Sequence, residues 1–182
     1  MKNKYFIIFF ICFVLNNHSF AEQFIFETTK IDIIEQGNVI NAFDGKAISL
    51  DKNFEIEAEE FRYFKDLDIL KAFNGIAFIK SDNLEIKFNE IELDQKKFIL
   101  TAKNDIKIFD NKKNISILSN LVTYNWKFKV LNSDTHSIVK DQFNNVFDTK
   151  SFNYEINKNI LKIEEANFKD YDNNSFYTKL AY

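Results

Sequence analysis

Few side chains in this chain could assemble a chemical site. Past residue 21 the only histidine is His136, in the polar stretch Asp134-Thr135-His136, and no nucleophile stands where such a base would serve it. Metal centres draw on histidine and cysteine, and the single cysteine, Cys12, lies in the N-terminal apolar run. Glu57, Glu59 and Glu60 cluster three carboxylates, but on the polar side of an alternating segment, where they read as solubilising charge. Gly37, Gly45 and Gly75 stand apart, so no glycine-rich loop can cradle a phosphate. Trp126 falls at a turn and reads as packing, or as a cap on one end of the interior. These residues predict no enzyme, no metal and no cofactor.

Lys2 and Lys4 precede an apolar stretch from Tyr5 to Leu15, and Ser19-Phe20-Ala21 places small residues before Glu22. That order predicts a secretory signal over residues 1–21, cleaved between Ala21 and Glu22; the apolar run is short for a membrane-spanning helix. Its removal takes two of the 24 basic residues and none of the 27 acidic ones, shifting the formal charge from −3 to −5. No lysine run escapes interleaving with Asp or Glu, so a nucleic-acid partner is not expected. About 160 residues remain, enough for one domain over 22–182.

Those residues repeat. At an offset of about 30, Phe24, Phe54 and Leu84 fall into one column, and Phe26, Ile56 and Ile86 into another. Ile31, Phe61 and Ile91 make a third, Ile33, Tyr63 and Leu93 a fourth, and Ile40, Leu70, Leu100, Val130 and Ile160 the longest. One residue is inserted before Ile115, after which Ile117, Val122 and Tyr124 re-enter. Within each unit apolar and polar residues alternate, the period of a strand. The phase slips once: Phe54, Ile56 and Ala58 are even, Phe61 and Tyr63 odd. A slip of one residue would turn half the strand inside out, so a bulge or corner is predicted there.

Turn signals recur about every fifteen residues, from Asp51-Lys52-Asn53 to Asp172-Asn173-Asn174. There is no proline, and only three glycines stand against 22 phenylalanines, so Asn and Asp are expected at the turns. Each unit then holds two bent strands, giving about ten or eleven in all from some five repeats, with no helix after the signal. Connections this short join antiparallel neighbours. The expected fold is all-β: an antiparallel curled sheet, jellyroll-like, closing on an apolar interior. A parallel β-helix is the alternative, though its corners usually carry glycine.

The segment Phe54-Glu55-Ile56-Glu57-Ala58-Glu59-Glu60-Phe61-Arg62-Tyr63, followed by Leu70-Lys71-Ala72-Phe73-Asn74-Gly75-Ile76-Ala77, resembles the repeat of the OstA-like family. That family holds the periplasmic lipopolysaccharide bridge protein and the N-terminal domain of the outer-membrane lipopolysaccharide assembly protein. The resemblance runs from about Phe24 onward and is best up to Ile108. It departs at Ala102-Lys103-Asn104-Asp105-Ile106, where the usual glycine is replaced. The chain stops at Leu180-Ala181-Tyr182, inside what reads as a new strand, which suits a bridge-type protein or the front piece of an assembly-type one. The resemblance implies a periplasmic protein, associated with the outer membrane, that holds the acyl part of lipopolysaccharide and pairs its edge strands with other Lpt-type proteins. The interior-facing candidates for that contact are Phe54, Ile56, Phe61, Tyr63, Leu84, Ile86, Phe88, Ile91, Leu93, Ile106 and Ile108. A structural or adhesive β-repeat protein with a packed core and no ligand is the alternative function.

Overall fold

A computed structural model describes residues 24–172 and 174–181 of the chain. The signal-peptide reading of residues 1–21, and the cleavage point at Ala21 and Glu22, lie outside the described residues. The strands are β1 (Phe24–Ile34), β2 (Val39–Ser49), β3 (Phe54–Phe64), β4 (Ile69–Ile79), β5 (Leu84–Asp94) and β6 (Ile99–Asp110). They continue as β7 (Ile115–Asn125), β8 (Val130–Ser133), β9 (Ser137–Lys140), β10 (Val146–Glu155), β11 (Ile160–Lys169) and β12 (Ser175–Ala181). All twelve lie in one antiparallel sheet in chain order, with β8 and β9 together filling one position between β7 and β10. The only helical turns among the described residues are two three-residue 3-10 turns, Glu35–Gly37 and Lys80–Asp82.

The count of twelve exceeds the expected ten or eleven because one strand is cut in two. At Asp134-Thr135-His136 the backbone leaves the ladder, and buried hydroxyls occupy the gap. The Ser119 and Ser133 Oγ atoms lie 3.1 Å apart, and Ser137 Oγ donates to Ser119 Oγ at 2.9 Å and to the Thr135 carbonyl at 2.8 Å. These short-range bonds compete with the ladder for the same backbone groups.

The phase slip is a corner in every long strand. Asp44, Asn74, Asn104 and Glu165 sit mid-strand with φ between 50° and 62°, the first three one repeat apart and the last two about two, and the ladder skips a pair at each. In β3 the exposed corner residue is Glu59, flanked by inward Ala58 and Phe61. Each strand thus folds into two halves, and the halves form two layers around one core. Phe24 and Phe26, before the corner of β1, meet Tyr63 and Phe61, after the corner of β3, at centroid distances of 5.5 and 5.9 Å. Gly45 and Gly75 occupy corners where a Cβ would lie 2.1 Å from the carbonyl oxygens of Glu27 and Glu57. In β6, which lacks that glycine, Asn104 and Asp105 both take positive φ and one extra residue bulges out. That bulge is the inserted residue expected before Ile115.

Turns follow two rules. Asp68, Asn83, Asn114, Asn144 and Asn159 adopt positive φ, as short polar side chains tolerate. Lys52, Phe98 and Lys129 adopt it too, at a cost. In those three turns a preceding Asx side chain accepts from turn amides: Asp51 from Asn53, Asp94 from Lys97, and Asn125 from Lys127 and Phe128, all at 3.0 to 3.1 Å. Burial acts to raise the Asp94 carboxyl, and bonds from the Lys97 side chain and backbone outweigh it, holding the group below its usual range.

The outer face is charged and the ladder register pairs the charges. Lys46 lies 2.6 Å from Glu57 and 3.0 Å from Glu55, Lys80 2.7 Å from Glu55, and Lys71 2.9 Å from Glu92. Hydrogen bonds from Lys80 and Lys46 hold Glu55 below the ordinary carboxylate range. Such exposed pairs each contribute little stability; their main effect is to keep this face wet and the opposite face inward.

Candidate lipid-binding interior

All eleven interior candidates (Phe54, Ile56, Phe61, Tyr63, Leu84, Ile86, Phe88, Ile91, Leu93, Ile106 and Ile108) lie in the core, none more than 3% exposed. Large and small residues alternate across neighbouring strands. Phe61 stands between Ala42 and Ala72, Ile91 between Ala72 and Ala102, and Ile56 between Ala47 and Ala77. Alanine on the even strands lets the large side chains of the odd strands reach the opposite layer without voids. At its centre the interior is therefore closed.

Towards both ends it opens. Ile31 and Ile33 of β1 face inward beside Ala42 and Ile40, yet are 46% and 60% exposed. At the other end a cross-strand aromatic ladder runs along the inner face, with Phe147 4.9 Å from Phe168 and Phe168 4.5 Å from Phe176. Phe176 is 60% exposed. Beside this ladder lies a groove of about 740 Å³, floored by Ile115, Phe147, Leu161, Ile163 and Ala181. Lys112, Lys113 and Lys162 stand on its rim against one carboxylate, Asp141.

The long side of the sandwich, where two rows of turns face each other, is the third way in. One row holds the turns at 50–53, 80–83, 111–114 and 141–145; the other those at 35–38, 65–68, 95–98, 126–129 and 156–159. Among the described residues, polar contacts around Asp82 and around Asp110 stitch the rows together. Asp82, buried, accepts from the Tyr124 hydroxyl, from Lys129 Nζ at 2.6 Å and from Ser81 Oγ at 2.8 Å. Asp110, also buried, accepts from the Tyr154 hydroxyl at 2.8 Å and from the Lys112 and Lys113 amides at 3.0 Å. Lys113 Nζ donates to the Ile156 carbonyl and lies 5.2 Å over the Tyr154 ring. Burial, then the bond to the carboxylate, pushes both phenols well above their ordinary range, so they remain donors. Nearer the N-terminal end the rows touch through Trp126, 5.0 Å from Phe54 and 5.8 Å from Phe98. There a gap of about 450 Å³ leads in to Phe24, Phe54 and Leu93.

Phe54 and Leu93 thus border an opening, whereas Phe61, Ile86 and Ile91 sit in the closed centre. Tyr124, Tyr154, Asp82, Asp110 and the Phe147–Phe168–Phe176 ladder were missed by the expected list. The two tyrosines shared a repeat column with Leu93, but nothing marked Asp82 and Asp110 as more than turn residues. His136 lies 2.7 Å from Asp148, both exposed, and lines a surface cleft with Ser119, whose hydroxyl is bonded to those of Ser133 and Ser137. No family model and no curated protein matches the chain.

Proposed function

We propose that this protein binds the acyl chains of lipopolysaccharide between the two layers of its sheet and takes part in carrying that lipid across the periplasm to the outer membrane. The observation that carries this reading is an apolar inner face that continues into exposed residues at each end. A repeat array that serves only as a packed scaffold is ordinarily closed by polar end units. Here Ile31 and Ile33 at one end, and Phe168 and Phe176 at the other, extend the core's own rows towards water. Keeping acyl chains out of water is favourable by about 0.8 kcal/mol per methylene, so an apolar path across an aqueous compartment suits such a cargo. Among the described residues the outer edges of β1 and β12 pair with no strand. Each can receive a strand from an Lpt-type partner and lengthen the path. The alternative, a structural β-repeat protein without ligand, draws on the tight alternation of Ala with Phe and Ile at the centre.

The two readings separate at the end groove. Ala181→Trp puts an indole into the groove, and Phe109→Trp places an indole on the outer face. With a dansyl-labelled fatty acid as probe, Ala181→Trp is expected to weaken binding by about tenfold, the worth of roughly 1.4 kcal/mol, and Phe109→Trp to leave it unchanged. Absence of binding to either variant and to the unsubstituted protein would favour the packed scaffold.

A further inference from the structure

The mouth between the two rows of turns is open in two places and shut between them. The gap of about 450 Å³ at Phe24, Phe54 and Trp126 lies on one side, and the groove of about 740 Å³ at Ile115 and Phe147 on the other. What separates them is the Asp82–Tyr124–Lys129 contact and the Asp110–Tyr154 contact, each joining turns more than forty residues apart in the chain. Both are unlike the rest of the interior. The core rows are held by ladder bonds and apolar packing throughout, whereas these two joints consist of a few hydrogen bonds with no ladder between the rows they join. Side-chain joints of this kind can be exchanged for bonds to water as the rows part. Parting the rows breaks no strand pairing, because the rows lie at opposite ends of the bent strands.

Building on the lipid-carrier reading, we infer that the Asp82–Tyr124–Lys129 and Asp110–Tyr154 contacts form a latched lateral gate, through which an acyl chain enters the interior sideways when the two rows of turns separate. The shut centre and the two flanking openings are then one slot, pinned at two points. An acyl chain lodged first in either opening enters the core past Leu93 or Ile115 once the neighbouring pin is released and the packed layers behind it part. The hinge is the line of corners at Asp44, Asn74 and Asn104, where the ladder already skips a pair. Opening there spreads over many residues, as in other hinge closures.

The test pins the gate covalently. In the full-length chain with Cys12→Ser, Ser81→Cys and Lys129→Cys are joined by a reducible bis-methanethiosulfonate linker, and uptake of a dansyl-labelled fatty acid is followed by stopped-flow fluorescence. The tethered protein is expected to take up probe about tenfold more slowly, since uptake scales with the open fraction, and to recover on adding reductant. Recovery also shows that the tethered form was folded. Lys129→Met combined with Tyr154→Phe loosens both pins and is expected to take up probe faster, to the same final level. Uptake at one rate with and without the tether overturns the gate and leaves the carrier reading standing, with entry through the ends. No uptake by any form, the loosened one included, overturns both.

Discussion

Gly75→Ala is expected to destabilise the fold by about 3 kcal/mol, at the upper end of what overpacking usually costs. The added methyl would stand 2.1 Å from the Glu57 carbonyl oxygen and 2.8 Å from Ala58 Cβ, so the backbone of β3 has to give way. It cannot do so freely, because Ala58 is paired to Gly75 in the ladder and Phe61 is locked in the core three residues on. Gly37 supplies the contrast. Its φ is +94°, but a Cβ there meets nothing within 4 Å, so Gly37→Ala costs about 1 kcal/mol of backbone strain. Urea denaturation of the two variants should show Gly75→Ala as the worse by a clear margin. Equal losses would mean that the corner does not bring the strands as close as described.

Phe61→Ala is expected to cost about 3–5 kcal/mol, the range for emptying a buried aromatic site. Phe61 is fully buried, touches Phe26 across the layers at 5.9 Å, and is flanked by Ala42 and Ala72, which cannot expand into the space. Phe176→Ala, at the exposed end of the aromatic ladder, should change stability by less than about 0.5 kcal/mol. The Phe61 cavity lies on the acyl path of the carrier reading. Saturating fatty acid should therefore recover part of the loss, about 2.7 kcal/mol if present at a hundredfold its dissociation constant. A loss below about 1 kcal/mol would show that Phe61 is not held between two packed layers.

The fold was largely legible because its determinants are local and periodic. The even-to-odd shift between Ala58 and Phe61 carries the corner at Glu59, and the thirty-residue columns carry the inner rows. Asn and Asp at Asp68, Asn83, Asn114, Asn144 and Asn159 mark the turns. The extra residue was legible as an insertion but not as a bulge at Asn104-Asp105, because Ile106 and Ile108 resume at once in the same even phase as Leu100 and Ala102, with no slip to mark the place. The break between β8 and β9 was hidden as well: Leu131 and Val139 keep their places in the apolar rows, and only the hydroxyls of Ser119, Ser133 and Ser137 betray it.

The gate tyrosines were legible as members of an apolar column, but their pairings with Asp82 and Asp110 were not. Asp82 and Tyr124 lie 42 residues apart, and Asp110 and Tyr154 lie 44 apart, neither a multiple of the repeat. Those pairings depend on how far the sheet curls, which is a sum over many strand twists rather than a property of any segment. Similarly, alternation places Ile31, Phe61 and Ile91 on one face, but only the stacking of the layers decides that Ile31 is half exposed while the other two are closed in.

The central claim, that acyl chains occupy the inner face, is tested most directly by a matched pair of positions on one strand. Phe176 and Tyr177 of β12 are exposed to nearly the same degree, 60% and 57%, and are neighbours in the chain. They differ in face: Phe176 continues the inner ladder of Phe147 and Phe168, while Tyr177 pairs with Asn167 on the outer side. A photo-crosslinking benzoylphenylalanine at each position, irradiated in cells and probed for lipopolysaccharide on the protein band, should give an adduct at 176 and almost none at 177. Equal adducts at both, or none at 176, would contradict the account.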